Sequence, residues 1–332
     1  LHTAIHSFPT RRSSDLTCIA CNQACLDHVF ERKTCSCLVN PRACHETELV
    51  LAPAARRKRV AVVGAGMASL SCATALAERG HEVDLFEAAG EIGGQFVMAA
   101  RVPGKEEFRE TLRYFRRRVE TTGVRLHLAT PATPEALRAG GYDEVVVATG
   151  VTPRDPGIPG QDHPMVRSYV DVLLRGAPVG PRVAVVGAGG IGFDVAAFLV
   201  HPADGRGPDL AAWQATWGVA DPAEARGGLV KPRPPAPARQ VYLLQRKASR
   251  PGAGLGKTTG WIHKATLKAA RVEMLAGLAY QGIDGRGLTV RHGEKERLLE
   301  VDTVVLCTGQ EPRRELVDRK STRLNSSHIA VS

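Results

Sequence analysis

The chain has 332 residues, 43% of them apolar, which leaves room for two packed cores and a small appendage. No apolar run approaches the roughly 20 residues of a membrane helix, so a membrane span is excluded. The formal charge is +10, but the basic runs Arg56-Arg-Lys-Arg59 and Arg116-Arg-Arg118 lack interleaved aromatics, which argues against a nucleic-acid partner.

In chain order, residues 6–16 read as one translated frame of a sequencing adapter, and residues 318–328 as a frame of the opposite adapter. Segments 1–16 and 318–332 are therefore set aside from the fold, and the natural chain is expected to extend beyond both. They carry +1 and +2 of the formal charge, so about +7 remains for the rest.

Residues 17–55 hold Cys18, Cys21, Cys25, Cys35, Cys37 and Cys44, with little hydrophobic periodicity. Such a stretch buries little apolar area, and a metal centre would supply its stability. The spacing C-x2-C-x3-C-x11-C of Cys18, Cys21, Cys25 and Cys37 can place four thiolates around one iron–sulfur cluster. Cys35 competes with Cys37 for the fourth position, and spacing does not choose between them. Structural zinc is the alternative, although only Cys18 and Cys21 form a C-x2-C pair. The clustering points to ligation in a reducing, cytoplasmic compartment rather than to disulfides.

Residues 59–63 (Arg-Val-Ala-Val-Val) predict a buried parallel strand, followed by Gly64-Ala-Gly66-Met-Ala-Ser69, a helix to residue 79 and a strand over 81–87. The first glycine permits the turn, the second lets backbone approach a pyrophosphate, and the helix N-terminus supplies N–H groups. Glu87 ends the second strand, where its carboxylate can accept ribose hydroxyls. Ser69 replaces the third glycine and is expected to crowd the helix–strand contact. An amphipathic helix over 105–122 and strands over 124–128 and 144–148 follow, and proline-rich residues 152–164 mark a crossover.

A second βαβ unit begins at residues 182–186 with a full motif, Gly187-Ala-Gly189-Gly190-Ile-Gly192, a helix to 200 and a strand over 240–244. Arg246 and Lys247 stand where an acid would select NAD(H), and they favour a 2′-phosphate. Between helix and strand lies an insert, residues 202–239, with seven prolines, Trp213 and Trp217, read as a surface excursion with a short helix over 210–217. Strands near 272–276, 288–291 and 303–307 complete the second domain. His45, Cys72 and Cys307 have plainer readings, as a loop histidine and two packed cysteines, while His263 and Lys264, after the Lys257-Thr-Thr-Gly loop, fit an approach to the nicotinamide or a solvated helix start equally.

The stretches Cys18-Ile-Ala-Cys21-Asn-Gln-Ala-Cys25, Cys37-Leu-Val-Asn-Pro-Arg-Ala-Cys44-His-Glu, Glu91-Ile-Gly-Gly-Gln95, Pro103-Gly-Lys-Glu-Glu-Phe108 and Gly256-Lys-Thr-Thr-Gly-Trp261 resemble the NADPH-dependent bacterial 2,4-dienoyl-CoA reductases. These are iron–sulfur flavoenzymes of the old-yellow-enzyme/trimethylamine-dehydrogenase-like class, and the likeness covers residues 17–316. It implies an α/β fold of two Rossmann-like dinucleotide-binding domains in a glutathione-reductase-like arrangement, with the NADPH domain inserted in the FAD domain. The boundaries are a [4Fe-4S] segment at 17–55, an FAD domain at 56–160 and 300–317, and an NAD(P)H domain at 161–299. The resemblance makes Cys18, Cys21, Cys25 and Cys37 the cluster ligands and Cys35 and Cys44 bystanders. It assigns FAD to Gly64, Gly66, Ala68, Ser69, Glu87, Gly94, Gln95, Lys105, Ala132 and Gly150, and NADPH to Gly187, Gly189, Gly190, Gly192, Arg246 and Lys247. Hydride would pass from NADPH to FAD, then single electrons through the cluster to FMN on an N-terminal barrel that reduces the acyl-CoA. That barrel, with its catalytic groups, would lie upstream of this chain, and the last FAD-contacting segment downstream of it. Other readings are an amine-dehydrogenase-like relative holding structural ADP, which Gln95 and Arg246-Lys247 oppose, and a non-catalytic nucleotide- and metal-binding scaffold.

Overall fold

The computed structural model describes residues 15–201, 209–316 and 329–331. The chain divides into two compact units, one of residues 1–100, 107–152 and 310–332, the other of 101–106 and 153–309. Most of the two adapter-like segments, and residues 202–208 of the insert, lie outside the described residues.

The first unit carries α1 (Leu26–Phe30) in the cysteine segment. It continues with β1 (Arg59–Val63), α2 (Met67–Glu78), β2 (Glu82–Phe86), α3 (Gln95–Ala99), α4 (Phe108–Thr122), β3 (Arg125–His127), α5 (Pro134–Ala139), β4 (Glu144–Val147) and β5 (Val151–Pro153). The second contains β6 (Val166–Ser168), α6 (Tyr169–Leu173), β7 (Arg182–Val186), α7 (Gly190–Val200), α8 (Leu210–Trp217), β8 (Gln240–Leu244) and α9 (Gly260–Ala269). It ends with β9 (Glu273–Leu275), β10 (Leu278–Asp284), β11 (Gly287–His292), β12 (Lys295–Leu299) and β13 (Thr303–Leu306). The chain then returns through β14 (Gln310–Pro312), which pairs with β5, and β15 (Ile329–Val331).

The first sheet runs β15-β4-β1-β2-β3 and the second β6-β13-β7-β8-β9, every pairing parallel. β1 and β7 sit centrally and read Arg-Val-Ala-Val-Val, buried at all but the first residue. Strands covered on both faces take such continuous apolar runs. In the first unit, one face of the sheet packs Val60, Val62, Val83 and Leu85 under Leu70, Phe115 and Val119 of α2 and α4. In each sheet the first strand lies between its βαβ partner and a strand from later in the chain. Open parallel sheets with that order bind ligands at the strand's C-terminal end, where connections diverge.

Four differences from the sequence reading have physical causes. The helix expected from residue 105 begins at Phe108, because Gly104 has φ +84° and the intervening residues form turns. β13 lies between β6 and β7, so residues 300–309 belong to the second unit rather than to the FAD domain. β10, β11 and β12 form an antiparallel meander whose Leu278, Ile283, Leu288, Val290 and Leu299 cover Ala184, Val186 and Leu244 of the second sheet. Only the middle strand was expected, since the flanking ones alternate weakly. Ile329–Val331, set aside in the sequence reading, supplies the edge strand beside β4.

The cysteine segment buries one apolar side chain fully, Ile19, while Leu26, Val29, Phe30, Leu38, Leu49 and Val50 remain exposed. It is tied down by polar contacts: Arg113 of α4 donates to the Asp15 carbonyl at 2.9 Å, and the Ala54 N–H donates to the Arg79 carbonyl at 2.8 Å.

Candidate functional site

At the end of β1, Gly64 turns with φ +99°, and a Cβ there would stand 2.5 Å from the Ala148 carbonyl oxygen beyond β4. Only glycine fits both constraints. Gly66 caps α2, and a Cβ there would meet nothing within 4 Å. That open space borders the first turn of a twelve-residue helix, where unpaired N–H groups and the dipole favour an anion. Ala68 is exposed on this turn. The Gly93 N–H donates to the Ala65 carbonyl at 2.7 Å, and a Cβ on Gly94 would lie 3.3 Å from the Gly66 Cα, so segment 91–95 closes against the loop.

Glu87 is half-buried after β2. Its carboxylate accepts the Ala65 N–H at 2.6 Å and the Ala89 N–H at 2.8 Å, which fixes it beside the turn with lone pairs to spare. Ser69 is fully buried, and its hydroxyl donates to the Ala148 carbonyl at 3.3 Å. The expected crowding does not arise, because the hydroxyl meets an acceptor. Gln95 accepts from Gln310 Nε2 at 2.9 Å. Gly150, with φ +75°, accepts the Arg313 N–H at 2.9 Å. Ala132 packs half-buried against the Val145–Val147 side of the core, away from the turn's described contacts.

The second turn repeats this geometry. Gly187 has φ +114°, and a Cβ there would collide with the Cys307 carbonyl. Gly189 caps α7, and both Gly189 and Gly190 face open space. Gly192 differs from Ser69: a Cβ there would overlap the Gly187 carbonyl, so the third glycine is obligatory here. Arg246 and Lys247 are exposed just beyond β8. Gln245 holds their loop by donating to the Lys247 carbonyl at 3.0 Å and to the Ser249 carbonyl. The Tyr280 hydroxyl is buried without a hydrogen-bond partner among the described residues. Burial raises its pKa, and the nearby Arg246 charge opposes that rise.

Lys105 was expected at the first turn. The structure instead pairs its ammonium with both carboxylate oxygens of Asp194 on α7, each at 2.7 Å, within the second unit. The two side chains are about four-fifths buried. His263 on α9 belongs to the same group: burial first, then the Lys105 charge, lowers its pKa, with Asp194 opposing. Sequence reasoning missed Asp194, whose signal was a lone acid in the apolar helix Gly-Ile-Gly-Phe-Asp-Val-Ala-Ala-Phe-Leu-Val. Cys307 is buried and its thiol is pushed well up, chiefly by burial, which fits a core residue. Cys72 is also raised by burial, and His45 bonds Glu48 at 3.0 Å.

Burial raises the Cys21 pKa, and the neighbouring Cys25, Cys37 and Cys18 thiols raise it further against a lowering bond from the Gln23 backbone. Burial raises the Cys35 pKa, and neighbouring Cys44, Cys25 and Cys37 add to the rise; its thiol donates to the Ser36 carbonyl at 3.8 Å. Among the described residues, no three His, Cys, Asp or Glu side chains close around one point as ligands of a single ion. Among the described residues, too, no helix is long and apolar enough to cross a membrane.

The family model for pyridine nucleotide-disulphide oxidoreductases matches residues 58–331, which include both turns. The chain belongs to that family. As a pyridine nucleotide-disulphide oxidoreductase, it is built on a fold that pairs a flavin with a nicotinamide nucleotide. It is 33% identical over 303 residues to a metal reductase of Desulforamulus reducens, covering 90% of this chain and 44% of that protein. A cinnamate reductase of Clostridium sporogenes is 35% identical over 182 residues, covering 55% of this chain and 27% of that protein. A 2-naphthoyl-CoA reductase structure superposes with a TM-score of 0.80 and 25% identity, covering 97% of this chain and 44% of its own. The oxidoreductase thus spans less than half the length of each of these relatives. None of the three is named a 2,4-dienoyl-CoA reductase, so the shared property is reductase chemistry rather than that substrate.

Proposed function

We propose that this chain is the electron-input part of an NADPH-dependent iron–sulfur flavoenzyme. In this reading the two turns are Rossmann-type sites, with FAD at the first and NADPH at the second, and Cys18, Cys21, Cys25 and Cys37 hold a [4Fe-4S] cluster. The observation that carries it is the presence, in one chain, of two open glycine turns at strand ends and of Cys21 with Cys18, Cys25 and Cys37 as its thiol neighbours. When bound, NADPH supplies hydride, FAD converts the electron pair to single electrons, and the cluster relays them.

The chain's own residues fit these groups. Gly66 and the Gly189–Gly190 pair leave room for pyrophosphate at helix N-termini. Glu87, held by two backbone N–H groups, is placed to accept ribose hydroxyls. Arg246 and Lys247, both exposed just beyond β8, offer a 2′-phosphate two cations. Lys105, neutralised by Asp194, is read as positioning α7 of the nicotinamide side rather than as a direct FAD contact. Four neighbouring thiols suit a cluster, in which each thiolate takes its own iron. The names of the relatives, with the resemblance of the quoted motifs, support an unsaturated acid or its CoA thioester as final acceptor, 2,4-dienoyl-CoA first. We place its reduction on an FMN-bearing barrel of a longer protein.

The test is reconstitution of the anaerobically purified chain with iron, sulfide and FAD. About four irons and four sulfides per chain are expected, lost in Cys37→Ser and kept in Cys35→Ser, with NADPH bleaching the flavin. Stoichiometric zinc in place of iron, or iron that survives Cys37→Ser, overturns the reading.

A further inference from the structure

The second unit carries a polar residue where the pattern of its strand calls for an apolar one. In β11, Leu288 and Val290 face the second sheet and belong to its core, and side chains alternate along a strand. His292 falls on that same face, one step beyond the core, opposite Leu278 of β10 and Lys295 of β12. Arg291 falls on the outer face, where its guanidinium donates to the Gly293 carbonyl at 3.0 Å.

The turn into β10 brings His292 to the loop that follows β8. The Gly277 N–H donates to the Lys247 carbonyl at 3.0 Å, and the Leu278 N–H donates to the Gln245 carbonyl at 3.1 Å. Residues 277–278 are thereby fastened to residues 245–247. A Cβ on Gly277 would stand 3.4 Å from both Cδ2 and Nε2 of His292 and 3.9 Å from the Ala248 Cα, so the imidazole and the loop border the same glycine. The meeting lies at the C-terminal end of β8, the end of a parallel strand where ligands bind. His292 is exposed, and among the described residues its ring makes no hydrogen bond.

We propose that His292 is a third group of the 2′-phosphate site, donating from its imidazole to the phosphate that Arg246 and Lys247 take, and so adding to the NADPH preference from outside the βαβ unit. It rests on the reading that places NADPH at the second turn. An imidazole N–H donates whether the ring is neutral or protonated, and a hydrogen bond to an ionised acceptor is roughly twice as strong as one between neutral groups. Arg246 and Lys247 approach from the loop after β8, and His292 approaches from the meander that covers the sheet. The three therefore come from two separately anchored elements, which suits the several oxygens of one phosphate.

The experiment is calorimetric titration of the full chain with 2′,5′-ADP and with 5′-AMP, which differ only in the 2′-phosphate. His292→Ala should weaken 2′,5′-ADP binding about tenfold, the worth of one charge-assisted hydrogen bond, and leave 5′-AMP binding unchanged. His292→Arg should recover most of the loss, and Arg291→Ala, on the outer face, should alter neither ligand. Equal weakening of both ligands in His292→Ala would overturn the proposal by placing the ring against adenine. An unchanged 2′,5′-ADP affinity would overturn it by placing the ring away from the phosphate. A wild-type chain that binds the two ligands equally has no 2′-phosphate site, which removes the NADPH reading and this inference together. A preference lost in Arg246→Glu but intact in His292→Ala sinks this inference alone.

Discussion

The contrast between Ser69 and Gly192 makes opposite demands on the same position of the two turns. In an exposed helix interior, Gly→Ala gains about 1 kcal/mol from backbone entropy. At Gly192 the new methyl would overlap the Gly187 carbonyl and touch Leu243 of β8 at 3.4 Å. Both Gly187 and Gly192 are anchored by the crossing of β7 and α7, so the methyl cannot be accommodated by a side-chain rotation. Overpacking of a close-packed contact costs about 1–3 kcal/mol, and displacement of backbone on both sides puts this case at the upper end. The net expectation for Gly192→Ala is a loss of about 2 kcal/mol, which for a domain of this size lowers Tm by roughly 4–8 °C. NADPH affinity should fall with it, because the turn that leaves Gly189 and Gly190 open is the part displaced. In the first turn the preferred residue reverses, and it is glycine that costs stability. Ser69→Gly removes a buried hydroxyl bonded at 3.3 Å and adds helix entropy, at a cost of about 1–2 kcal/mol. Calorimetry of the two variants, with NADPH titration of the first, measures both. A Gly192→Ala chain with wild-type Tm and NADPH affinity would refute the steric argument.

Three other outcomes are expected. Asp84 is buried and accepts from Arg125 at 2.8 and 2.7 Å and bonds His127 at 2.8 Å; Arg125 first, against burial, holds its carboxyl well below the usual range. Its folded pKa is depressed, so its stabilisation is present above the unfolded pKa of about 4 and fades as pH falls through the folded value. Asp84→Asn should therefore lose about 1–3 kcal/mol at neutral pH, the range being discounted for the half-exposed Arg125, and the gap should close in acid urea titrations. In the FAD-loaded chain, Arg246→Glu should lower the NADPH over NADH preference in kcat/KM by about ten- to a hundredfold, the worth of a charged hydrogen bond of about 1.5–3 kcal/mol; an unchanged ratio would show that the side chain points elsewhere. The same chain should reduce ferricyanide with NADPH but leave 2,4-dienoyl-CoA untouched, and measurable diene turnover would sink the placement of the acceptor site outside it.

Local chemistry made much of this protein legible before any fold was known. The runs at 59–63 and 182–186 are continuously apolar because their strands are covered on both faces, and both turned out as strands with those bounds. The glycines at 64 and 187 were readable because a turn pressed against a neighbouring carbonyl tolerates no Cβ. The short helix 210–217 in the insert was likewise visible from its composition and flanking residues. Partnership between residues distant in sequence was not legible. Spacing left Cys35 and Cys37 equivalent, and in the fold both lie among the clustered thiols, Cys37 as a neighbour of Cys21 and Cys35 as a neighbour of Cys44, Cys25 and Cys37. Lys105 lies in a motif that pointed to the first turn, yet its ammonium needs a counter-charge when partly buried, and Asp194, 89 residues away, is the carboxylate within reach. Whether the third position of a glycine motif must be glycine was also hidden. A serine fits at 69, where its hydroxyl reaches the Ala148 carbonyl, and no side chain fits at 192, where a Cβ would overlap the Gly187 carbonyl. That distinction is set by how closely a helix crosses a strand, which is decided by the packing of the whole unit.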